Sequence, residues 1–429
     1  MENSFIKEKY RKVLKRVISS QPVGLQGYGP ELERLQAKSR LKSTASFYDL
    51  IPKTPGLPVR KENKPIVGYF CNLVPEELLL AIGAVPVRLC SADYFLSRKG
   101  EEVITSEVCP VIKSCCGSFF SGCYSRLDLV VVPATCDGKT KLAELLAPFT
   151  EVYFLDLPRN TDYLENSEVW VEKYTRLLDF LKERFNVPVP RKELLRACTL
   201  TNQRTESFRR IYDFRAKNTG IISAADYFIM AYASFFTEPA VWAEKANEVY
   251  QEAIGNLSPH LSSSPSRGEG KGEGGVSFRG KKILLSGSPI LFPNLKLLEL
   301  VSETGSDICA DTFCSAYGRM YDPVVIDEET DEGIIRALTL KYVSASLCPC
   351  FLSLDKFLDR IIDLTKEHKI DGVIYHNLRL CSVFDIQMPF VRYALREEGI
   401  PVLFIKTDLS REDIGQLKTR IEAFIEMLG

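Results

Sequence analysis

The sequence predicts an α/β protein in which two Rossmann-like parallel-sheet domains face a shared cleft. Two observations support this prediction. Short apolar runs with the character of buried strands alternate with helical segments, as they do in a chain that builds a parallel sheet. This pattern occurs twice, before and after a largely helical stretch at about 166–256. The two halves have a related layout, although no sequence repeat between them is visible.

Four strands are predicted in the first half. They are the apolar runs at 65–70, 84–89, 127–134 and 152–158. A short helix is expected at 75–83, because Pro75 suits the first position of a helix and Gly83 suits the residue beyond its end.

The second half follows a segment rich in Ser, Gly and Pro at 258–275, which indicates a disordered linker. Strands are expected at 281–287, 371–376 and 401–406, and helices at 294–305 and 408–428. The chain therefore divides into an N-terminal helical segment at 1–62, a first α/β domain at 63–165, a helical connector with the linker at 166–275, and a second α/β domain with a C-terminal helix at 276–429.

The charge balance argues against several classes of partner. The chain has 55 Lys and Arg residues against 56 Asp and Glu residues, which gives a net charge of −1. This balance gives no electrostatic reason to expect nucleic acid or an anionic membrane. No apolar run is long enough to span a bilayer, and the charged N-terminus lacks the apolar centre of a signal peptide. We expect a cytoplasmic protein that binds neither nucleic acid nor membrane.

The chain contains 13 cysteines. An odd number without an export signal argues against disulfides and favours metal ligation, redox chemistry or packing. Several of the cysteines follow predicted strands, where a parallel α/β sheet binds its ligands. These are Cys71, Cys136 and Cys381. Cys109 precedes a predicted helix, and Cys348 and Cys350 form a CPC loop.

Iron–sulfur chemistry fits this pattern better than zinc. A structural zinc site usually takes its ligands from two close pairs, and this chain has no such doublet and only three histidines, at 260, 368 and 376. Dispersed thiolates with few histidines are typical of iron–sulfur sites. The segment PATCDGKT at 133–140 superficially resembles a phosphate-binding loop, but Pro133 stands where that motif requires glycine. We expect a helix start after Cys136 rather than a nucleotide site.

Several long motifs resemble one family. The segments GYFCNLVPEELLLAIGAVPVRL, EVCPVIKS, LDLVVVPATCDGKTK and VYFLDLP are similar to segments of the 2-hydroxyacyl-CoA dehydratase and benzoyl-CoA reductase subunit family. The similarity extends from about residue 62 to the end of the chain. Within the family, the chain most resembles the double-cubane cluster proteins, which are homodimers of a single gene product.

The resemblance implies a set of cluster ligands. Dehydratase-type members bind one 4Fe–4S cluster through three cysteines, which map here onto Cys109, Cys136 and Cys381. The double-cubane branch carries two cubanes joined by a shared sulfide, an 8Fe–9S cluster that needs about six thiolates. The candidates for the additional ligands are Cys71, Cys123 and either Cys348 or Cys350, with Cys348 preferred. The other cysteines are expected to pack in the core: Cys90, Cys115, Cys116, Cys198, Cys309 and Cys314.

The resemblance also implies a function. It predicts a low-potential reductase component that accepts electrons from a separate ATP-hydrolysing iron–sulfur protein and reduces a small molecule. Lys113, Lys139 and Arg379 lie near the predicted ligands in the sequence and are candidates for stabilising charge on the reduced cluster. Three alternatives stay open: a 2-hydroxyacyl-CoA dehydratase subunit with a single 4Fe–4S cluster, a non-catalytic electron carrier, and a protein with structural thiols only. The resemblance further implies a homodimer.

Overall fold

The computed structural model describes residues 8, 12, 27–57, 64–159, 163–257, 278, 280–344, 347–351 and 353–429. Most of the predicted N-terminal helix and the predicted linker at 258–275 lie outside these residues. The expected two-sheet α/β fold is confirmed. The bounds of the four predicted segments stay a prediction.

The first sheet is formed by four parallel strands in the order β2-β1-β3-β4. They are β1 (Ile66–Tyr69), β2 (Val85–Arg88), β3 (Leu129–Pro133) and β4 (Val152–Leu155), all within the predicted runs. Both faces of this sheet are covered, as is usual for a parallel sheet. Along β3, Leu129 and Val131 enter one core while Val130 and Val132 enter another. This alternation follows from the two-residue repeat of a strand.

The second sheet has the order β6-β5-β7-β8, which repeats the topology of the first. Its strands are β5 (Lys282–Gly287), β6 (Asp307–Asp311), β7 (Gly372–Leu378) and β8 (Val402–Thr407). Three of them match predicted strands, whereas β6 was not anticipated. The sequence of β6, DICAD, begins and ends with a carboxylate and is therefore a weak strand signal. The repeated order shows that the two halves share one folding pattern.

Helices flank both sheets. Their bounds are α1 (Gly29–Gln36), α2 (Ala45–Leu50), α3 (Glu76–Ala81), α4 (Tyr94–Gly100), α5 (Pro110–Phe120), α6 (Asp137–Leu146), α7 (Tyr163–Phe185), α8 (Arg191–Lys217), α9 (Ala224–Ala233), α10 (Pro239–Gly255), α11 (Lys296–Glu303), α12 (Tyr317–Met320), α13 (Asp331–Ser344), α14 (Leu354–Glu367), α15 (Ser382–Glu397) and α16 (Ile414–Met427). Pro75 caps α3 rather than starting it, and the last helix begins only at Ile414. Among the described residues, no helix has the length and apolar character to cross a membrane.

Buried ion pairs fix the two halves against each other. Glu76 of α3 accepts two hydrogen bonds from Arg204 of α8, at 3.0 and 2.8 Å, and one from Arg319 of α12 at 2.7 Å. The neighbouring Glu77 pairs with Lys341 of α13 at 3.0 Å. These carboxylates are fully enclosed, so the pairs hold the first half, the helical connector and the second half in one arrangement. In this arrangement the carboxyl ends of both sheets border a common cavity.

Candidate metal centre

A cavity of about 1290 Å³ lies between the two halves. Its walls come from the loops that follow the carboxyl ends of strands in both sheets, together with apolar side chains such as Ile112, Leu142 and Phe384. Seven cysteines line it: Cys71, Cys109, Cys136, Cys314, Cys348, Cys350 and Cys381. None of the 13 cysteines is paired in a disulfide. The structure thus brings together cysteines that lie far apart in the sequence.

The strand order explains why this edge holds the site. In each sheet the chain reverses its winding direction between the first and third strands of that half, which creates a crevice at their carboxyl ends. Cys71 follows β1 and Cys136 follows β3 at this point of the first sheet. Ser288 and Cys381 occupy the corresponding places after β5 and β7. The predicted location of the cysteines at strand ends is therefore observed for Cys71, Cys136 and Cys381.

Three of the cavity cysteines are the capping residues of helices. Cys109 precedes α5, Cys136 precedes α6 and Cys381 precedes α15. The N-terminus of a helix carries a partial positive charge and exposes backbone N–H groups, both of which favour a thiolate. The N–H groups of Val111 and Ile112 act on Cys109 in this way and oppose the rise in its pKa. These three positions are the ligands that the family resemblance implies for a single cluster.

The backbone is strained at two points beside the cavity. Cys71 has a φ of 61° and Leu380, the neighbour of Cys381, has a φ of 65°. Residues with a side chain rarely adopt this left-handed conformation, which costs about 1–3 kcal/mol and is concentrated at functional sites. At both points the turn redirects the chain directly after a strand. Strain of this kind supports a site role for Cys71 and Cys381.

Electrostatics inside the cavity centre on the thiols. A hydrogen bond between Cys109 and Cys381 raises the pKa of Cys109 and lowers that of Cys381 to about 7. A hydrogen bond with Cys350 raises the pKa of Cys348, and burial adds to the rise. Burial also raises the pKa of Cys314, to about 11. Thiols with raised pKa values stay protonated until an electrophilic metal displaces the proton.

Two buried cations, Lys139 and Arg88, oppose the rise in the pKa of nearby thiols. Lys139, which also lines the cavity, places its Nζ 3.4 Å from Cys115 Sγ and 4.0 Å from the centre of the Phe70 ring. Arg88 donates to the carbonyl oxygen of Cys314 at 2.7 Å and to its Sγ at 3.5 Å. Of the other two cations considered, Lys113 pairs with Glu101 at 2.6 Å and Arg379 is exposed. Lys139 is therefore the predicted cation that lies at the site.

Cys123 is not part of this arrangement. It lies after α5 and before β3, at the amino end of that strand, and its buried thiol does not line the cavity. An 11-residue helix separates it from Cys109, a distance of about 16 Å along the axis. The structure therefore does not bring Cys123 together with the other predicted ligands.

Cys314 is the cysteine that the sequence reasoning missed. It follows β6 closely and contributes to the cavity wall, although it was expected to pack in the core. The rule that located Cys71 and Cys381, a cysteine just beyond a strand, applies to it equally well. The sequence does not predict β6 and therefore does not place Cys314 beyond a strand. By contrast, Cys90, Cys115, Cys116, Cys198 and Cys309 are buried as expected.

The geometry differs from that of a single-ion site. Among the described residues, no three His, Cys, Asp or Glu side chains are close enough to hold one metal ion. A cluster places its own iron and sulfide between the ligands, so its thiolates are spread around a volume rather than gathered at one point. His376, the histidine nearest in sequence to Cys381, instead contacts the carbonyl oxygen of Ser288 at 2.9 Å through Nδ1.

Comparison with known proteins agrees with this architecture. The family model described as 2-hydroxyglutaryl-CoA dehydratase, D-component, matches residues 71–428, which is most of the chain and includes every cavity cysteine. The chain belongs to this dehydratase family. The match begins just after β1 and includes the other three strands of the first sheet and all four strands of the second, so the family relationship extends to both halves of the fold.

Named relatives within this dehydratase family cover most of the chain. A candidate dehydratase subunit, YjiM, of Escherichia coli (strain K12) is 28% identical over 86% of this chain and 93% of its own length. The beta subunit of (R)-2-hydroxyglutaryl-CoA dehydratase from Acidaminococcus fermentans is 23% identical over 88% of this chain and 96% of its own length. The beta subunit of (R)-phenyllactyl-CoA dehydratase from Clostridium sporogenes is 21% identical over 84% of this chain and 91% of its own length. All three of these relatives carry the name of a dehydratase subunit.

Proposed function

We propose that this protein holds a double-cubane iron–sulfur cluster and acts as a low-potential reductase component. The observation that carries the proposal is the convergence of seven cysteines on one cavity, none of them in a disulfide. Each cubane of a double cluster needs three thiolates, so two cubanes need about six. A single 4Fe–4S cluster would use three of these seven cysteines as ligands and leave the other four without a ligand role.

The position of each thiol selects the ligand set. Five ligands would be Cys71, Cys109, Cys136, Cys314 and Cys381, and the sixth would be Cys348 or Cys350. Cys348 is favoured over Cys350 because its thiol interacts electrostatically with both Cys350 and Cys381. Cys314 takes the place predicted for Cys123, whose thiol is buried elsewhere.

The cavity suits such a group chemically. The donors are soft thiolates, which select iron–sulfur clusters over hard cations. The wall includes the apolar side chains of Ile112, Leu142 and Phe384, which would limit access of water to a bound cluster, and exclusion of water helps to set the potential of a cluster. The bound cluster would supply stored low-potential electrons, while Lys139 and the helix N-termini would stabilise the negative charge of its ligands.

A separate ATP-hydrolysing iron–sulfur protein would deliver the electrons. The segment 133–140 does not form a phosphate-binding loop, because Pro133 ends β3 and Cys136 caps α6 directly. ATP hydrolysis is therefore assigned to the partner. The acceptor would be a small unsaturated molecule that enters the cavity, and the working unit would be a homodimer, as in the double-cubane proteins that the sequence resembles.

The test is an anaerobic turnover assay with purified protein, an ATP-dependent iron–sulfur activator and ATP. We expect reduction of small unsaturated molecules that requires both the activator and ATP. Omission of ATP is the matched control. Reduction of the cluster without any turnover of an acceptor would instead favour an electron carrier.

A second candidate is a subunit of a 2-hydroxyacyl-CoA dehydratase with one 4Fe–4S cluster. The names of the relatives favour it, since two of those described above are beta subunits of such dehydratases. Its minimum ligand set, Cys109, Cys136 and Cys381, is also present in the cavity. Activator-dependent dehydration of a 2-hydroxyacyl-CoA thioester would support this candidate, and its absence in the presence of a candidate alpha subunit would exclude it.

A further inference from the structure

We propose that Lys139 and Arg88 are positioning residues whose uncompensated positive charges set the reduction potential of the group held in the cysteine cavity. This inference rests on the proposed cluster function. It concerns two side chains of the first half that touch thiols. Lys139 lines the cavity and contacts Cys115, and Arg88 contacts Cys314, which lines the cavity from the second half.

Both cations are deeply buried. Lys139 is 4% exposed and Arg88 is 1% exposed. Moving a charge from water into a protein interior costs several kcal/mol, so buried cations normally sit beside a carboxylate. Within the described part of the chain, neither Lys139 nor Arg88 makes an ion pair with a carboxylate. The buried cations of the Glu76 and Glu77 network show the usual arrangement, in which each cation meets a carboxylate.

The partners that these two cations do have are sulfur, carbonyl oxygen and aromatic rings. Lys139 Nζ lies 3.4 Å from Cys115 Sγ and over the Phe70 ring. Arg88 spans the carbonyl oxygen and Sγ of Cys314, and its guanidinium lies 4.6 Å from the centre of the Phe235 ring. The Nε of Arg88 is buried without a hydrogen-bond partner. A neutral set of partners of this kind does not balance two full positive charges.

Thiolate sulfur would supply the negative charge that partly balances Lys139 and Arg88. Burial alone would lower the pKa of Lys139, but the thiols of Cys115, Cys90 and Cys71 raise it above its ordinary value. Ligation converts a thiol fully to a thiolate, so a thiolate-bound cluster would bring net negative charge next to these cations. That charge would partly offset the two cations, and they would in turn stabilise the added negative charge of the reduced state.

A fixed positive charge in a low-dielectric interior favours the more reduced state of a neighbouring redox group. Removal of either charge should therefore shift the midpoint potential to a more negative value. Substitution by Met keeps an unbranched, largely apolar side chain but removes the charge. Lys139→Met and Arg88→Met are the test variants, and Lys139→Arg and Arg88→Lys are the charge-keeping partners.

Lys113→Met is the matched control. Lys113 is also a buried lysine of the first half, but it pairs with Glu101, which additionally pairs with Arg98. Glu101 therefore keeps one cation when Lys113 is replaced. The experiment is a redox titration of the anaerobically loaded full-length protein, followed by electron paramagnetic resonance, with iron and sulfide content measured on the same samples.

We expect Lys139→Met and Arg88→Met to have a more negative midpoint potential than the wild type. The potentials of Lys139→Arg, Arg88→Lys and Lys113→Met should stay close to the wild-type value. An unchanged potential in Lys139→Met and Arg88→Met at wild-type iron content would overturn the inference, as would an equal shift in Lys113→Met. If the Met variants lose iron, retention of iron in the charge-keeping variants supports the role of the charge. Loss of iron in both kinds of variant would reveal a packing role only. Absence of iron from the wild type would reject the proposed function itself, a separate outcome.

Discussion

The thiols of Cys109 and Cys381 are close enough to shift each other's pKa although they belong to opposite halves of the chain. Cys109 caps α5 beside the first sheet, and Cys381 caps α15 beside the second. The contact therefore marks the line along which the two halves meet. It also places two helix N-termini against one cavity, where both would stabilise negative charge on sulfur. The cavity is a property of the two-half arrangement rather than of either sheet alone.

The exchange of Cys123 for Cys314 in the ligand set can be tested by substitution. Cys314→Ser should lower the iron bound per chain, to about half if one cubane is lost, because serine is a poor ligand for iron–sulfur clusters. Cys123→Ser is the matched control and should keep the iron content of the wild type. Iron and sulfide analysis of anaerobically purified variants provides the measurement. Loss of iron in Cys123→Ser with full retention in Cys314→Ser would contradict the assignment.

The buried carboxylate of Glu76 should be essential for stability. Glu76→Gln removes the negative charge between Arg204 and Arg319 and leaves both guanidinium groups without a counter-charge, which should cost about 3–5 kcal/mol of unfolding free energy. Denaturant unfolding of the two proteins measures the difference. Glu168→Gln breaks an exposed pair with Arg336 and should cause no measurable change. A Glu76→Gln protein as stable as Glu168→Gln would show that the network does not hold the halves together.

Stability should fall as the pH is lowered because of His376. Burial lowers the pKa of His376 to about 4, from an ordinary value near 6.5. A lowered histidine pKa contributes stability that is complete above the unfolded value and is lost as the pH falls toward the folded value. Between pH 8 and pH 6 the loss should be about 1 kcal/mol. Denaturant unfolding at both pH values should show this loss in the wild type and a smaller one in His376→Gln. An equal loss in the two proteins would assign it to other groups.

The segment that carries Cys109 depends on a close contact between α4 and α5. A Cβ at Gly117 would lie 1.8 Å from the carbonyl oxygen of Leu96, which is backbone and cannot move aside. Gly117→Ala should therefore destabilise the protein by about 1–3 kcal/mol and loosen α5. Gly415→Ala, at an exposed position of α16 with no atom near its Cβ, should instead stabilise by up to about 1 kcal/mol. Thermal unfolding of both variants distinguishes these outcomes, and a neutral Gly117→Ala would contradict the close contact.

The sequence predicted the site wherever the local pattern and the three-dimensional position coincide. Cys71, Cys136 and Cys381 follow apolar runs that do form strands, so the rule about strand ends placed them correctly. The same rule did not place Cys314, because its strand, β6, begins and ends with a carboxylate and is not predicted from the sequence. Cys123 lies outside the cavity for the opposite reason: it precedes a strand, and α5 separates it from Cys109.

The charge environment could not be read from the sequence at all. Lys113 and Lys139 both lie close to predicted ligands, but Glu101 neutralises the first and no carboxylate among the described residues pairs with the second. Arg88 gave no signal, because its contact with Cys314 joins β2 to the loop after β6. Such partners are set by the docking of the two halves, which depends on many weak contacts rather than on a motif.

The most direct test of the account is the iron and acid-labile sulfide content of the anaerobically purified protein. Two cubanes held by the cavity cysteines predict about eight irons per chain. About four irons per chain would contradict the double-cubane assignment and favour a single cluster on Cys109, Cys136 and Cys381. A protein that binds no iron under these conditions would contradict the account as a whole.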